Sequence, residues 1–398
     1  MLLNYGVGEP IKGRRVVVTG LGAVSCAGLG VSPLWAALLK GEAPVDRHVP
    51  EFDASHLGGP KELRRLDPFT LFALAAADEA WRMAGLPDTY ANAASIVATG
   101  IGGLQTLTEQ LEVLNERGAN RVSPFMIPMM MPNAAAAAVS MRFGLRGPCE
   151  TITTACAAGT HAIGYAARLV ASGRVDVAVT GGAEAVITPV ATAGFSNMTA
   201  LSSSGISRPF DQQRDGFVMG EGAGVLVIES LEHAEARGAT ILAEITGAAS
   251  TADAHHLTAP DPEGLGAIEC IKLALRDAQL TPDEIDHVNA HGTSTPLNDR
   301  AEGTAISTVF AEHRPSVTSV KGYLGHSLAA AGALEAVVSV LTLQHQTVPA
   351  TIGTTNVDAE ILVDVVIGAA RQQEVRNVIS NSFGFGGHNG CLVISQPN

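Results

Sequence analysis

Four apolar runs recur in the same order along the two halves of the chain. RRVVVTGLGAVS is echoed by ILAEITGAAST, and SIVATGIGG by IDHVNAHGTS. ETITTACAAGTHAIGYAARL is echoed by SVTSVKGYLGHSLAAAGALEAV, and VDVAVTGGAEA by VRNVISNSFGFGG. Each piece is an apolar strand followed by a turn of small residues. Near-continuous apolar strands fit sheets buried on both faces and covered by helices. The pattern predicts an α/β protein of two duplicated halves, residues 1–238 and 239–398, dividing near Ala239. Two extra segments, roughly 104–147 and 187–221, interrupt the first half.

The strand-to-helix junctions carry the candidate chemistry. Cys156 follows ETITTA, which reads as a short strand, and precedes a small-residue apolar run that reads as a buried helix. Unpaired N–H groups and the positive end of a helix dipole favour a thiolate there. They are expected to lower its pKa below the free value of about 8.5. His291 follows a short strand starting near Asp286, in HVNAHGTSTPLND; His326 sits at a strand–turn–helix junction in VTSVKGYLGHSLAAAGALEAVVSVL. Taken singly, these are a buried structural cysteine and satisfied core histidines. Taken together, they form the pattern of a nucleophile and distant partners assembled by the fold. A glycine loop near the C-terminus, NSFGFGGHNG, holds Gly384, Gly386 and Gly387 between and beside Phe383 and Phe385. Such a loop reads as a hairpin turn, or as a source of backbone N–H groups for a developing oxyanion.

Composition narrows the classes. The 398 residues allow a large core, and the formal net charge of −14 argues against nucleic acid or an anionic membrane as partner. No apolar run reaches the roughly 18 residues of a membrane span. The leader MLLNYGVGEPIKG lacks the charged start and long apolar stretch of a signal peptide. Five scattered cysteines without a CxxC pair indicate neither a disulfide framework nor a zinc site, and fit a reducing cytoplasm. TGLGAVS has Ser25 where a dinucleotide fingerprint needs a third glycine, so no nucleotide cofactor is expected. Asp253, His255 and His256 lack a partner at fixed spacing, so no metal is expected either.

The chain resembles the elongating β-ketoacyl-acyl carrier protein (ACP) synthases, nearest the type II enzymes. The likeness rests on RRVVVTGLGAVS, ATGIGGLQT, SPFMIPMMMPNAAAAAVSM, RGPCETITTACAAGTHAIG, GGAEAVITP, ALSSSGISRPFDQQRDGFVMGEGAGVLVIE, VNAHGTSTPLND, KGYLGHSLAAAGALE and SNSFGFGGHNG, in family order. The resemblance implies a thiolase-like, five-layered α-β-α-β-α fold and decarboxylative condensation of acyl-ACP with malonyl-ACP. It makes Cys156 the nucleophile and His291 and His326 the groups that stabilise the malonyl-derived enolate. The backbone N–H groups of Cys156 and Phe385 become an oxyanion hole.

Lys321 is implied as a buried support paired with Glu335 or Asp299, and Thr293 and Thr295 as ligands of pantetheine. Ile101 and Phe385 match acyl-pocket and gate positions, with Phe383 beside the substrate. Lys61, Arg64 and Arg65 are expected to share one helix face and dock ACP, with Arg121 and Arg208 as weaker candidates. A cytoplasmic homodimer is implied; a catalytic ketosynthase subunit of a type II polyketide synthase, paired with a cysteine-less homologue, is the alternative. Two departures, Val320 and Tyr323 in SVKGYLG and His388 in GGHN, leave the chain-length preference open.

Overall fold

A computed structural model of the chain describes residues 13–397; residues 1–12 of the leader lie outside them. The first half contributes strands β1 (Val16–Ser25), β2 (Ala93–Ala98), β3 (Cys149–Glu150), β4 (Val177–Glu184) and β5 (Gly222–Ser230). The second contributes β6 (Ala243–Ala252), β7 (His287–Asn289), β8 (Ser316–Thr318), β9 (Asn377–Gly384) and β10 (His388–Ser395). Their orders are β3-β2-β4-β5-β1 and β8-β7-β9-β10-β6. In each half the first three strands of that order run parallel and the fourth is antiparallel to both its neighbours. β1 and β6 meet antiparallel at Val17–Glu244 and Val18–Ala243, which makes one hydrogen-bonded path through both halves.

The helices that matter for the site are α1 (Pro68–Ala84), α2 (Ala134–Phe143), α3 (Ala158–Ala171), α4 (Leu265–Ala278), α5 (Pro296–Phe310) and α6 (Ala329–His345). α1 and α2 cover the outer face of the first sheet, α4 packs on the outer face of the second and α5 packs on α4. α3 and α6 pack on each other between the two sheets. This is the five-layered arrangement. α6 is apolar on all sides but for Glu335, Ser339 and Thr342, and every residue from Ala329 to Leu343 is buried, as a helix between two sheets requires. α1 starts where Asp67 accepts the Phe69 N–H ahead of Pro68, and stops at Gly85 in the left-handed region. Glycine permits the closest approaches: a Cβ at Gly22 would lie 1.8 Å from Ala76 O, and one at Gly224 would lie 2.5 Å from the Ala333 carbonyl carbon.

The ETITTA strand is mostly absent. Only Cys149 and Glu150 pair, with Ser95 and Ile96 of β2, before the chain leaves the sheet edge and turns inward to Cys156.

Candidate active site

Cys156 lies in a single 3-10 turn, Ala155–Ala157, directly ahead of α3. Ala155 takes φ 49°, a strained value for a residue with a Cβ. His291 comes two residues after β7, and His326 three residues before α6. The first half thus supplies the sulfur and the second half both imidazoles. Sγ of Cys156 and one nitrogen of each histidine lie within 4.8 Å of one another, and all three residues are buried. The histidine rings stand edge-to-face, 5.3 Å between centroids and 83° apart. Phe217 also packs edge-to-face with His326 at 5.3 Å between centroids.

Lys321 closes the back of this group. Its Nζ donates to the His291 carbonyl at 2.6 Å, lies 3.3 Å from His291 Nδ1, and pairs with Glu335. An ammonium donor at Nδ1 leaves the ring proton on Nε2, so His291 faces the cavity as a hydrogen-bond donor. The same positive charge opposes a cation among the three side chains. Burial holds both histidines well below their usual range, with Lys321 adding to the effect, so both are neutral. His326 Nδ1 has no partner among the described residues. Its main chain is tied instead, N to Val218 O at 2.7 Å and O to Gly220 N at 3.0 Å.

The thiol departs from expectation. Burial pushes Cys156 up to about 11, while the Phe385 N–H bonded to the sulfur and the Lys321 charge pull it down less strongly. Loss of solvent around the sulfur outweighs the helix-start donors on which a lowered value rested. The resting side chain is therefore a thiol. Below its pKa the thiolate fraction grows tenfold per pH unit. Alkylation of Cys156 by iodoacetamide should accordingly climb about tenfold per unit from pH 7 to pH 10. Rates read by peptide mass at Cys156 that level off below pH 8 would contradict this.

A cavity of about 290 Å³ reaches the trio. Thr293 and Thr295 line it, their hydroxyls 2.9 Å apart, as do Phe383 and Phe385. The 187–221 segment supplies Phe195, Met198 and Phe217, whereas nothing from 104–147 lines this cavity. Ile101 does not line it either: the side chain is exposed and the N–H is held by Glu184. Glu335 takes Lys321, and Asp299 does not. Asp299 instead accepts the N–H groups of Phe210 and Ser294 beside Arg214, because it sits on the first turn of α5 facing that loop. Lys61, Arg64 and Arg65 are exposed, but their helix is one turn, Pro60–Leu63, and Arg65 stacks on Phe125 at 4.0 Å. Asp253 binds Asn389, and His256 Nδ1 accepts two N–H groups of its own turn.

Two carboxylates escaped the sequence reading. Glu302 on α5 accepts the N–H groups of His291 at 2.8 Å and Gly292 at 2.6 Å, and so fixes the turn that aims the imidazole. Glu184, at the end of β4, accepts from Thr99, Gly100, Ile101 and Ala329, joining the first half to the start of α6. Burial raises both to about 7. A spacing rule does not single out an acid on an ordinary helix or strand.

Residues 13–234 match the family described as beta-ketoacyl synthase, N-terminal domain, and residues 242–355 its C-terminal domain. The chain is 43% identical to 3-oxoacyl-[acyl-carrier-protein] synthase 2 of Coxiella burnetii, over 96% of this chain and 99% of that one. Among solved structures, the ishigamide ketosynthase/chain length factor superposes with a TM-score of 0.91 at 35% identity, covering 97% of this chain and 100% of that one. A type II polyketide synthase acyl-carrier protein in complex with its ketosynthase gives 0.88 at 31%, with the same coverage.

Proposed function

The chain belongs to the beta-ketoacyl synthase family, and on that premise we propose that it condenses acyl-ACP with malonyl-ACP, giving 3-oxoacyl-ACP and CO2 in fatty acid chain elongation. The observation that carries this reading is the buried trio of one thiol and two neutral imidazoles at the end of a largely apolar cavity. Cys156 gives up its proton and attacks the acyl thioester, and the carrier thiol leaves with a proton. The N–H groups of Cys156 and Phe385 hold the tetrahedral oxyanion. Malonyl-ACP then loses CO2, and the enolate oxygen that forms is met by the imidazole N–H donors. The enolate carbon attacks the acyl carbonyl, the Cys156 thiolate departs, and the product is two carbons longer.

Neutral histidines suit this step, since they donate a hydrogen bond without protonating the carbanion. Thr293 and Thr295, which line the cavity, would bind the pantetheine amides, with Phe385 as the gate and Phe383 beside the substrate. The superposition on a polyketide ketosynthase keeps one alternative, the catalytic subunit of a type II polyketide synthase. The purified chain alone, given acyl-ACPs of graded length and malonyl-ACP, should release 3-oxoacyl-ACP. Release only after a cysteine-less homologue is added would favour the alternative, and no release in either case would sink the condensation reading.

Exposed Leu111, Leu114, Phe125, Ile127 and Met131 surround one region of the first half, where Gly103 N bonds Met130 O. The β3 edge of the same half's sheet is also exposed. An exposed apolar patch and an open sheet edge in the same half support a homodimer. No helix among the described residues is long and apolar enough to cross a membrane, and five free cysteines support a cytoplasmic setting.

For ACP, an acidic partner of an acidic chain, the basic residues Lys61, Arg64 and Arg65 offer local attraction; none is ion-paired among the described residues. Arg64→Glu with Lys61→Glu should raise KM for acyl-ACP by about tenfold and barely change KM for a short pantetheine thioester. Equal changes on both substrates would mean that the substitutions damage the fold or the site, and would overturn the docking assignment.

A further inference from the structure

The oxyanion hole just described has one donor from each half, so its geometry depends on how the Cys156 turn and the glycine loop are held together. Two adjacent residues of α3 do this. Thr160 Oγ1 meets Ser382 Oγ of β9 at 2.7 Å. His161 Nε2 meets Asn389 O of β10 at 3.0 Å, and its Nδ1 meets Thr154 Oγ1 at 2.7 Å. β9 and β10 are the two legs of the hairpin whose tip carries Phe385. Each leg is therefore tied once to the helix that Cys156 begins.

The glycines of the hairpin make room for the contact. A Cβ at Gly384 would lie 3.0 Å from Cys156 N and 3.1 Å from Ala157 N, and one at Gly390 would lie 2.9 Å from the His161 ring. A carbonyl accepts only from a donor, so Nε2 of His161 carries the proton and Nδ1 accepts from the Thr154 hydroxyl. Burial lowers the pKa of His161 from its usual value and so keeps this neutral form.

We infer that Thr160 and His161 are positioning residues that align the two oxyanion donors, Cys156 N–H and Phe385 N–H, across the halves of the protein. The inference rests on the condensation reading, because only attack on a thioester builds an oxyanion there. Attack on iodoacetamide uses the same sulfur and builds none, so the pair of reactions isolates the effect.

The test compares His161→Phe, His161→Gln, Thr160→Val and Ser382→Ala with wild type. Acyl transfer from acyl-ACP to Cys156 is followed by intact-protein mass, alkylation by iodoacetamide, and fold by thermal unfolding. His161→Phe should slow acyl transfer by about tenfold to a hundredfold, less than outright loss of a donor. Alkylation should stay within about threefold, and His161→Gln, which keeps a donor and an acceptor, should recover part of the loss. If His161→Phe does not fold, Thr160→Val and Ser382→Ala carry the test: each should show the same selective loss, and the double variant no more than either. Acyl transfer within about twofold of wild type, or lost in proportion to alkylation, would overturn the positioning role. A wild-type protein that never acylates Cys156 would instead overturn the condensation reading, and this inference with it.

Discussion

Cys156→Ala should abolish acyl transfer and leave the fold in place. Cys156 is 5% exposed and sits in a turn whose backbone bonds, such as Ala157 N to Thr154 O, do not involve its side chain. Removing one buried sulfur costs little packing compared with removing a larger core side chain. The chemical cost is of a different order: loss of a covalent nucleophile typically removes about 10⁴–10⁶ of the rate. Intact-protein mass after incubation with acyl-ACP should show one adduct on Cys156 in wild type and none in the variant. An adduct on Cys26, Cys149, Cys270 or Cys391 would refute the assignment. Cys156→Gln should keep malonyl-ACP decarboxylation, because the imidazoles that the proposed mechanism assigns to that step are untouched.

The two histidines divide the reaction from the other side. His291→Ala and His326→Ala should still accept an acyl group on Cys156, while condensation falls by about 10²–10³ for each, the usual cost of one positioned donor to an oxyanion. Release of CO2 from malonyl-ACP should fall in step. Histidine variants that condense at the wild-type rate would exclude the imidazoles from the chemistry. His291→Ala carries an additional effect, since Lys321 Nζ loses its contact with Nδ1 but keeps Glu335 and the backbone carbonyl of residue 291. The ion pair at the back of the site therefore survives the substitution, and a buried charge is not stranded.

The trio was legible because its residues stand where apolar runs break into small-residue turns. A thiol or imidazole at such a break has no packing reason to be there. The repeated order of strands was legible for the same reason, since apart from the ETITTA segment each echo is a strand with its turn, and the matching β4 and β9 occupy equivalent places in their sheets. Glu302 and Glu184 were not, nor was the choice between Glu335 and Asp299 as the partner of Lys321. Glu302 and Asp299 lie three residues apart on one helix, and their periodicity is alike; only the surrounding fold turns one toward His291 and the other toward Arg214. The direction of the Cys156 shift was misread for a related reason. Local sequence shows the helix that follows the sulfur but not the second half of the chain, which excludes water from it. His161 reads as one more residue on a helix until the hairpin from the other half is laid against it.

The division of the site between halves also bears on how the molecule comes to exist. The sulfur and the imidazoles are separated by more than a hundred residues, and the first half alone has neither histidine partner. Contacts of such long range form slowly, because chain-closure entropy must be overcome before they contribute. α6, buried between two sheets, has no solvent-facing side on which to persist before both sheets are present. A refolding chain will therefore regain the helical signal of its outer helices well before Cys156 regains the slow alkylation of a buried thiol. In that interval the nascent enzyme presents an ordinary reactive cysteine, and the finished fold is what makes the sulfur selective.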